Sequence, residues 1–364
     1  MMNDYNSIFI NHLFAKRKRR KVNHADDIHK VYTNKYKKWI IDYLKDNNYE
    51  QAPILIACNT IYKLPDYFRI QKDSFFLGDY ALYNYFFDWN YCMGTICNED
   101  IKILLCIKQY IESLYLKKYI DECYLLCLCT SNIEQYKDEQ YYKDDTLIYY
   151  DRLTNIQEAF VLLHEATHYL IDIGCCSNEL IEQANIYDKF YKIHKKNNII
   201  TEKSPQKNDQ LFVECVCDNR AVKFLIKNNE FNKDIGEREC IQQIFFAMYY
   251  LYILQFIDMT VSTNIVDKED FFDSTLWEIT YRIGNIYVTL FEMQQDNELK
   301  IDVSSLNNIY EGFIETLKNE TKSIRKIIKY IDMFMKENND LMNKIHNTEI
   351  SDKLSYIKNY LALI

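Results

Sequence analysis

The chain has 364 residues, enough to bury a large core in one or two domains. Only 3 prolines and 6 glycines punctuate it, so tight turns are scarce and long helices are the default expectation. A net charge of -9 argues against broad binding to nucleic acid or to an anionic membrane surface.

The first feature along the chain is a local exception to that charge, Lys16-Arg17-Lys18-Arg19-Arg20-Lys21. It reads as a solvated basic segment, or as a contact with nucleic acid or an acidic partner. No basic n-region followed by an apolar core and a small-residue cleavage site precedes it, so no secretory signal is expected. Residues 25–46 carry Ile28, Val31, Tyr32, Trp39, Ile40, Tyr43 and Leu44 near helical spacing, which predicts an amphipathic helix. Pro53 introduces Ile54-Leu55-Ile56-Ala57-Cys58, a short buried strand, and 99–118 reads as helix again. Cys123–Cys129 and Thr146–Tyr150 are strand candidates, separated by a polar stretch.

Beyond Thr154 the reading is helical almost throughout: 155–172, 178–195, 209–228, 237–261, 270–295 and 305–338. The segment 196–208 is the clearest loop. Ile244 to Met259 is the longest apolar stretch, but Gln255 and Asp258 interrupt it and it is short for a bilayer span. A buried core helix is the expectation, a membrane helix the alternative. The 12 cysteines form no paired Cys-x-x-Cys repeat, and reduced thiols in a cytoplasmic protein account for them most simply. The expected fold is mainly α with a small β-sheet (α+β). A mixed N-terminal region (1–120) precedes a catalytic core (121–235) and a helical C-terminal region (236–364).

The segment His164-Glu165-Ala166-Thr167-His168 carries the chemistry. Thr154 and Gln157 have capping-box spacing for a helix start near Asn155, and Gly174 suits its left-handed end. Inside that helix His164 and His168 stand about 40° apart around the axis and about 6 Å apart along it. Both imidazoles can then reach one tetrahedral zinc, while Glu165, one residue round, can reach a water on the metal.

A catalytic zinc needs a third protein ligand and one open position. The His168-x-x-Gly-x-x-His extension of the metzincins is absent, since Ile171 and Gly174 occupy its places. Glu214 is the best candidate, in Leu211-Phe212-Val213-Glu214-Cys215-Val216-Cys217-Asp218-Asn219-Arg220-Ala221. Glu214 and Asp218 share one face of a second helix, so one carboxylate can ligate while the other holds the free N–H of a ligand histidine. Asp172, Glu179, Glu182 and His194 remain competitors for the third position.

With these residues the chain resembles the gluzincins, whose glutamate ligand comes from a second helix bearing Glu-x-x-x-Asp. The resemblance covers about residues 146–228. Within that group it is most similar to small bacterial cytoplasmic zincins, the Lit-type phage-exclusion and ImmA/IrrE-type peptidases. It implies a zincin-like core with one zinc ion per chain, His164, His168 and Glu214 as ligands, Glu165 as general base and Asp218 supporting a histidine. The spacer between His168 and Glu214 is longer than in the ImmA/IrrE type.

The implied activity is a zinc-dependent endopeptidase acting on an intracellular protein or peptide, in phage defence or regulation. The strand at Thr146–Tyr150 would pair with an extended substrate. Arg220 is a weak candidate for stabilising the oxyanion. Two alternatives stand beside this reading: a non-catalytic zincin-like binding module, and a membrane-embedded metalloprotease using Ile244–Met259.

Overall fold

A computed structural model describes residues 25–60, 62–70, 72–94, 99–118, 144–196, 209–233, 235–263 and 269–337. The fold is mainly α with one small sheet. The basic run 16–21, the strand candidate Cys123–Cys129 and the loop 197–208 lie outside the described residues.

Helix α1 (Ala25–Asp46) leads into β1 (Ile54–Cys58), β2 (Asp66–Ile70) and β3 (Asp73–Asp79). Contrary to expectation β1 is buried only at Cys58, with Ile54 exposed, because it lies at an edge of the sheet. The sheet order is β1-β3-β2, with β1 parallel and β2 antiparallel to β3. The β2–β3 hairpin went unread in the sequence because Gln71-Lys72 between its strands carries no Asn-Gly-type turn signature. Gly78 of β3 has a packing reason: a Cβ there would stand 2.5 Å from the Tyr36 ring, so only glycine lets α1 lie this close. Helix α2 (Ala81–Gly94) was also unread. It is buried round much of its circumference, so no polar face marks a helical period.

Helix α3 is Glu99–Lys118 and α4 is Asp144–Asp172. Here the expectation fails: Thr146–Tyr150 is not a strand but the opening of α4, and Thr154 and Gln157 do not cap a helix start. The β-branched and aromatic residues that suggested a strand are overridden by tertiary packing. Tyr150 packs edge-on against Phe87 and Tyr91 of α2, and Leu153 one turn later is buried too. Thr154 and Gln157 are fully buried inside the helix, where Asn90 of α2 donates to both. Gln157 donates in turn to Asn90 and to Gln243. Gly174, at φ 83°, ends α4 with two reversing bonds, Cys175 N–H to the Leu170 carbonyl and Gly174 N–H to that of Ile171.

The remaining helices are α5 (Ser177–Lys196), α6 (Asp209–Lys227), the single turn α7 (Asn229–Asn232), α8 (Gly236–Thr263), α9 (Glu269–Gln295) and α10 (Val303–Glu337). Helix α6 packs along α4 more extensively than any other helix does, and α9 packs on α6. Helix α8 is long and apolar enough to cross a bilayer, but 72% of its apolar window is covered by the rest of the chain. One buried cluster runs from Tyr36 of α1 through α4 and α8 to Ile331 of α10. It therefore draws on all three segments expected from the sequence.

Candidate metal centre

On α4, Val161, His164, Glu165 and His168 follow the i, i+3, i+4, i+7 spacing of one helix face. All but His168 line a cleft of about 520 Å³. The facing side of α6 supplies Gln210, Glu214 and Asp218 one turn apart. The two sides meet at His164. Its Nε2 lies 3.1 Å from Glu214 Oε2, and its Nδ1 lies 2.8 Å from Asp218 Oδ1. His168 Nε2 lies 3.8 Å from the other oxygen of Glu214.

Asp218 is fully buried and fixes the His164 ring so that Nε2, not Nδ1, faces Glu214. Two ligands about 2.0–2.1 Å from one tetrahedral zinc stand about 3.3 Å apart. The His164–Glu214 separation is close to that edge, and the His168–Glu214 separation is half an ångström or so longer. Two imidazoles and a carboxylate are a donor set that suits zinc.

A second arrangement competes. His164, His168 and Cys217 offer single donor atoms all within 4.8 Å of one another, whereas Glu214 meets the two imidazoles with different oxygens. The Cys217 thiol is fully buried, and burial together with the charges of Glu214 and Asp218 pushes its pKa well above the ordinary thiol value. Ligation by Cys217 would require release of that proton, as it would at His164, whereas Glu214 is already an anion facing both imidazoles.

The site contains a residue that sequence reasoning missed, Arg282 of α9. Its Nε and one terminal nitrogen donate to the two oxygens of Asp218 at 2.8 and 2.9 Å. Its other terminal nitrogen lies 3.4 Å from Glu214 Oε2. This fork holds both carboxylates of α6 in place. Nothing near Arg282 in the sequence marks it, because its partners lie more than sixty residues away. Arg220, the earlier oxyanion candidate, is instead about 200° round α6 from Asp218. It donates to Glu179 and Asn47 and does not reach the cleft.

The other competitors separate as well. Asp172 accepts from Tyr67 and Arg69 at the surface, and Glu179 pairs with Arg220. Glu182 lines a different, smaller hollow with Arg220 and Lys223. The side chain of His194 lies outside the described residues.

The electrostatics divide the two histidines. Burial disfavours a charged His164, but its bonds to Asp218 and Glu214 outweigh this and push its pKa up to about 10. Burial and the neighbouring His164 push His168 down to about 4, so it is neutral. Glu214 is held well below the usual carboxylate range: His164, Arg282 and His168 overcome the effect of burial. Glu165 moves the other way. Burial, reinforced by Glu214 and Asp66 against His164 and Arg282, raises it to about 7. A carboxylate near neutrality on the cleft wall is suited to take up and return a proton at ordinary pH.

No family model, curated protein or solved structure matches this chain.

Proposed function

We propose that the chain is a zinc-dependent endopeptidase, gluzincin-like in its donor set, that hydrolyses a peptide bond of a protein substrate. The observation that carries this reading is the meeting of α4 and α6 at His164, with Glu214 on one ring nitrogen and Asp218 on the other. A structural pair of helices has no need to spend a buried aspartate, an arginine fork and an imidazole on one point, and then line a cleft with it.

His164, His168 and Glu214 would hold one zinc ion, whose chemistry when bound is Lewis acidity towards water and a carbonyl oxygen. Glu165 accepts the proton of the attacking water and returns it to the leaving amine. Asp218 keeps His164 in one tautomer, and Arg282 keeps Asp218 in place. Residues 146–150 are helical, and the exposed strand edge beside the centre is β2, whose first residue, Asp66, lines the cleft. An extended substrate adds to that edge as a further strand. The setting is cytoplasmic in this reading.

Metal analysis and proteolysis together test it. Purified protein should carry about one zinc per chain, lost in His168→Ala and in Glu214→Ala and retained in Cys217→Ser. Glu165→Gln should keep zinc and fold while proteolysis falls about 10²–10⁴-fold. Full zinc in His168→Ala, or equal proteolysis by wild type and Glu165→Gln, would remove the peptidase reading.

A further inference from the structure

Residues 62–65, between β1 and β2, wall the cleft and are held from behind. Tyr62, Leu64 and Pro65 line the cleft, whereas Lys63 among them lines a separate, smaller hollow with Asn84 and Glu112. Lys63 stands at φ 68°, and the Leu64 N–H donates to the Tyr62 carbonyl at 2.9 Å. A three-residue turn of this hand is rare, because a central residue other than glycine disfavours positive φ. Such a conformation lasts only where its surroundings over-determine it.

Here the surroundings act through the Lys63 side chain. It is 2% exposed, and its ammonium donates to Gln109 at 2.9 Å and to Glu112, both on α3. The same nitrogen lies 5.9 Å from the centroid of the Tyr85 ring on α2. Three residues earlier, the Thr60 N–H and hydroxyl donate to Asp79 at the end of β3. A loop that only joins two strands gains nothing from burying an ammonium at its turn. This anchor instead leaves the side chains on either side of it facing the cleft.

Those side chains offer apolar surface that the fold leaves partly open. Tyr62 is 39% exposed and Leu64 half-buried. Leu251 of α8, also half-buried, lines the same cleft with Met248 and Ile279. His164, Glu165 and Glu214 border this cleft too, so a ligand along the loop lies beside the proposed centre. An apolar side chain gains there by covering the remaining surface, whereas a charged one loses hydration.

We propose that residues 62–65 read the substrate, admitting polypeptide segments with a large apolar side chain such as leucine beside the cleaved bond, and that Lys63 is their positioning residue. This names the substrate class of the peptidase proposed above and rests on that reading. Tyr62 and Leu64 touch the apolar side chain, and Lys63 acts through them.

The test uses the full chain, zinc-loaded, as Glu165→Gln so that peptides are not cut. Three labelled unstructured peptides of one length, differing only in carrying leucine, alanine or glutamate at two central positions, are titrated by fluorescence anisotropy. The leucine peptide should bind about tenfold tighter than the alanine peptide, the size expected from burying one larger side chain, and the glutamate peptide weakest. Added Leu64→Ser should abolish most of the leucine margin. Lys63→Gly, which keeps the turn accessible but removes the anchor, should do the same with zinc still at one per chain. Lys63→Met combined with Glu112→Met is an independent second anchor variant, since it leaves no carboxylate bare at the anchor.

Equal binding of the leucine and alanine peptides, no binding of any, or a leucine margin unchanged in Leu64→Ser or in both anchor variants overturns the proposal. Anchor variants that lose zinc, or that weaken all three peptides alike, overturn the positioning role of Lys63. Mass spectrometry of the same peptides with wild-type protein separates these failures from that of the peptidase. A leucine preference in binding without cleavage keeps the role of the loop and sinks the peptidase. Cleavage without a leucine preference does the opposite.

Discussion

His164 is where the competing demands on this chain are easiest to see. Two carboxylates hold a proton on it, and a zinc ion needs the same ring free of that proton. The sign of the pH dependence follows. His168 is already neutral and Glu214 already ionised, so at pH 7 zinc must displace one proton from His164, whose pKa lies near 10. Zinc affinity should therefore rise about tenfold per pH unit from about 7 to 9 and level off near 10. Calorimetry in buffers of different ionisation heat should report about one proton released per zinc. The measurement belongs on Glu165→Gln, since Glu165, raised to about 7, would otherwise contribute. A flat profile would show that His164 already stands neutral at pH 7.

Arg282 gives the second prediction at this scale. Its fork on Asp218 supports His164 at one remove, so Arg282→Met should lower zinc affinity by about 10–100-fold, as changes behind a metal ligand do. Arg282→Lys should recover only part of this, because an ammonium cannot bond both oxygens of Asp218 and reach Glu214 at once. Competition with a zinc-binding dye measures both. Full affinity in Arg282→Met would reduce the fork to a packing role.

Among the elements, α4 is held from two directions by buried polar groups. From α1, Tyr36 and Lys35 both donate to Glu158, which is fully buried two turns before His164. Lys35 also lies over the rings of Tyr32, Trp39 and Tyr83, at 5.1, 4.8 and 4.9 Å from their centroids. Lys35→Met leaves that carboxylate without its cation. The cost should be about 3 kcal/mol, the lower end for a broken buried pair because Lys35 keeps some exposure to water. Glu158→Gln in the same background should recover part of the loss, and urea unfolding measures both. From α2, Asn90 bonds Thr154 and Gln157, so Asn90→Leu should cost about 1–3 kcal/mol through the partners left unsatisfied. Equal stability of Lys35→Met and wild type would mean that Glu158 finds another partner.

For the whole molecule, the question is whether 121–235 stands alone. Its helices α4 and α6 share their core with α8, and Arg282 arrives from α9. The fragment 121–235 should accordingly fail to give dispersed amide signals or to bind zinc, whereas the full chain does both. A folded, zinc-binding fragment would show that the later helices are an accessory. Ile253→Asp, at a fully buried position of α8, should unfold the whole chain, as an uncompensated buried charge does, with loss of circular dichroism across all helices. A protein that keeps its helicity with this change and partitions into membranes would point to α8 as a bilayer span.

Features that depend on neighbours a few residues away are legible in the amino-acid order alone. Apart from the single turn α7, the helices from 177 onward, with α1, α3 and β1, follow from local apolar patterning, and Gly174 from its freedom at positive φ. The His164–His168 pair and the Glu214–Asp218 pair are legible for the same reason, since four-residue spacing on a helix fixes each pair on one face. The tertiary structure decided what distant partners impose. Residues 146–150 have strand-like composition but become helix because Tyr150 and Leu153 pack there on α2 and the core. Helix α2 hides its period by burying most of its sides, and the hairpin lacks a marked turn. Glu214 rather than Glu179 faces the histidines because α6, not α5, lies along α4, while Asp172, at the end of α4 itself, is taken by Tyr67 and Arg69. Arg282 and the cleft could be seen only once α8 and α9 had closed over that pair, since electrostatic partners are chosen by distance in space and leave no period in the chain.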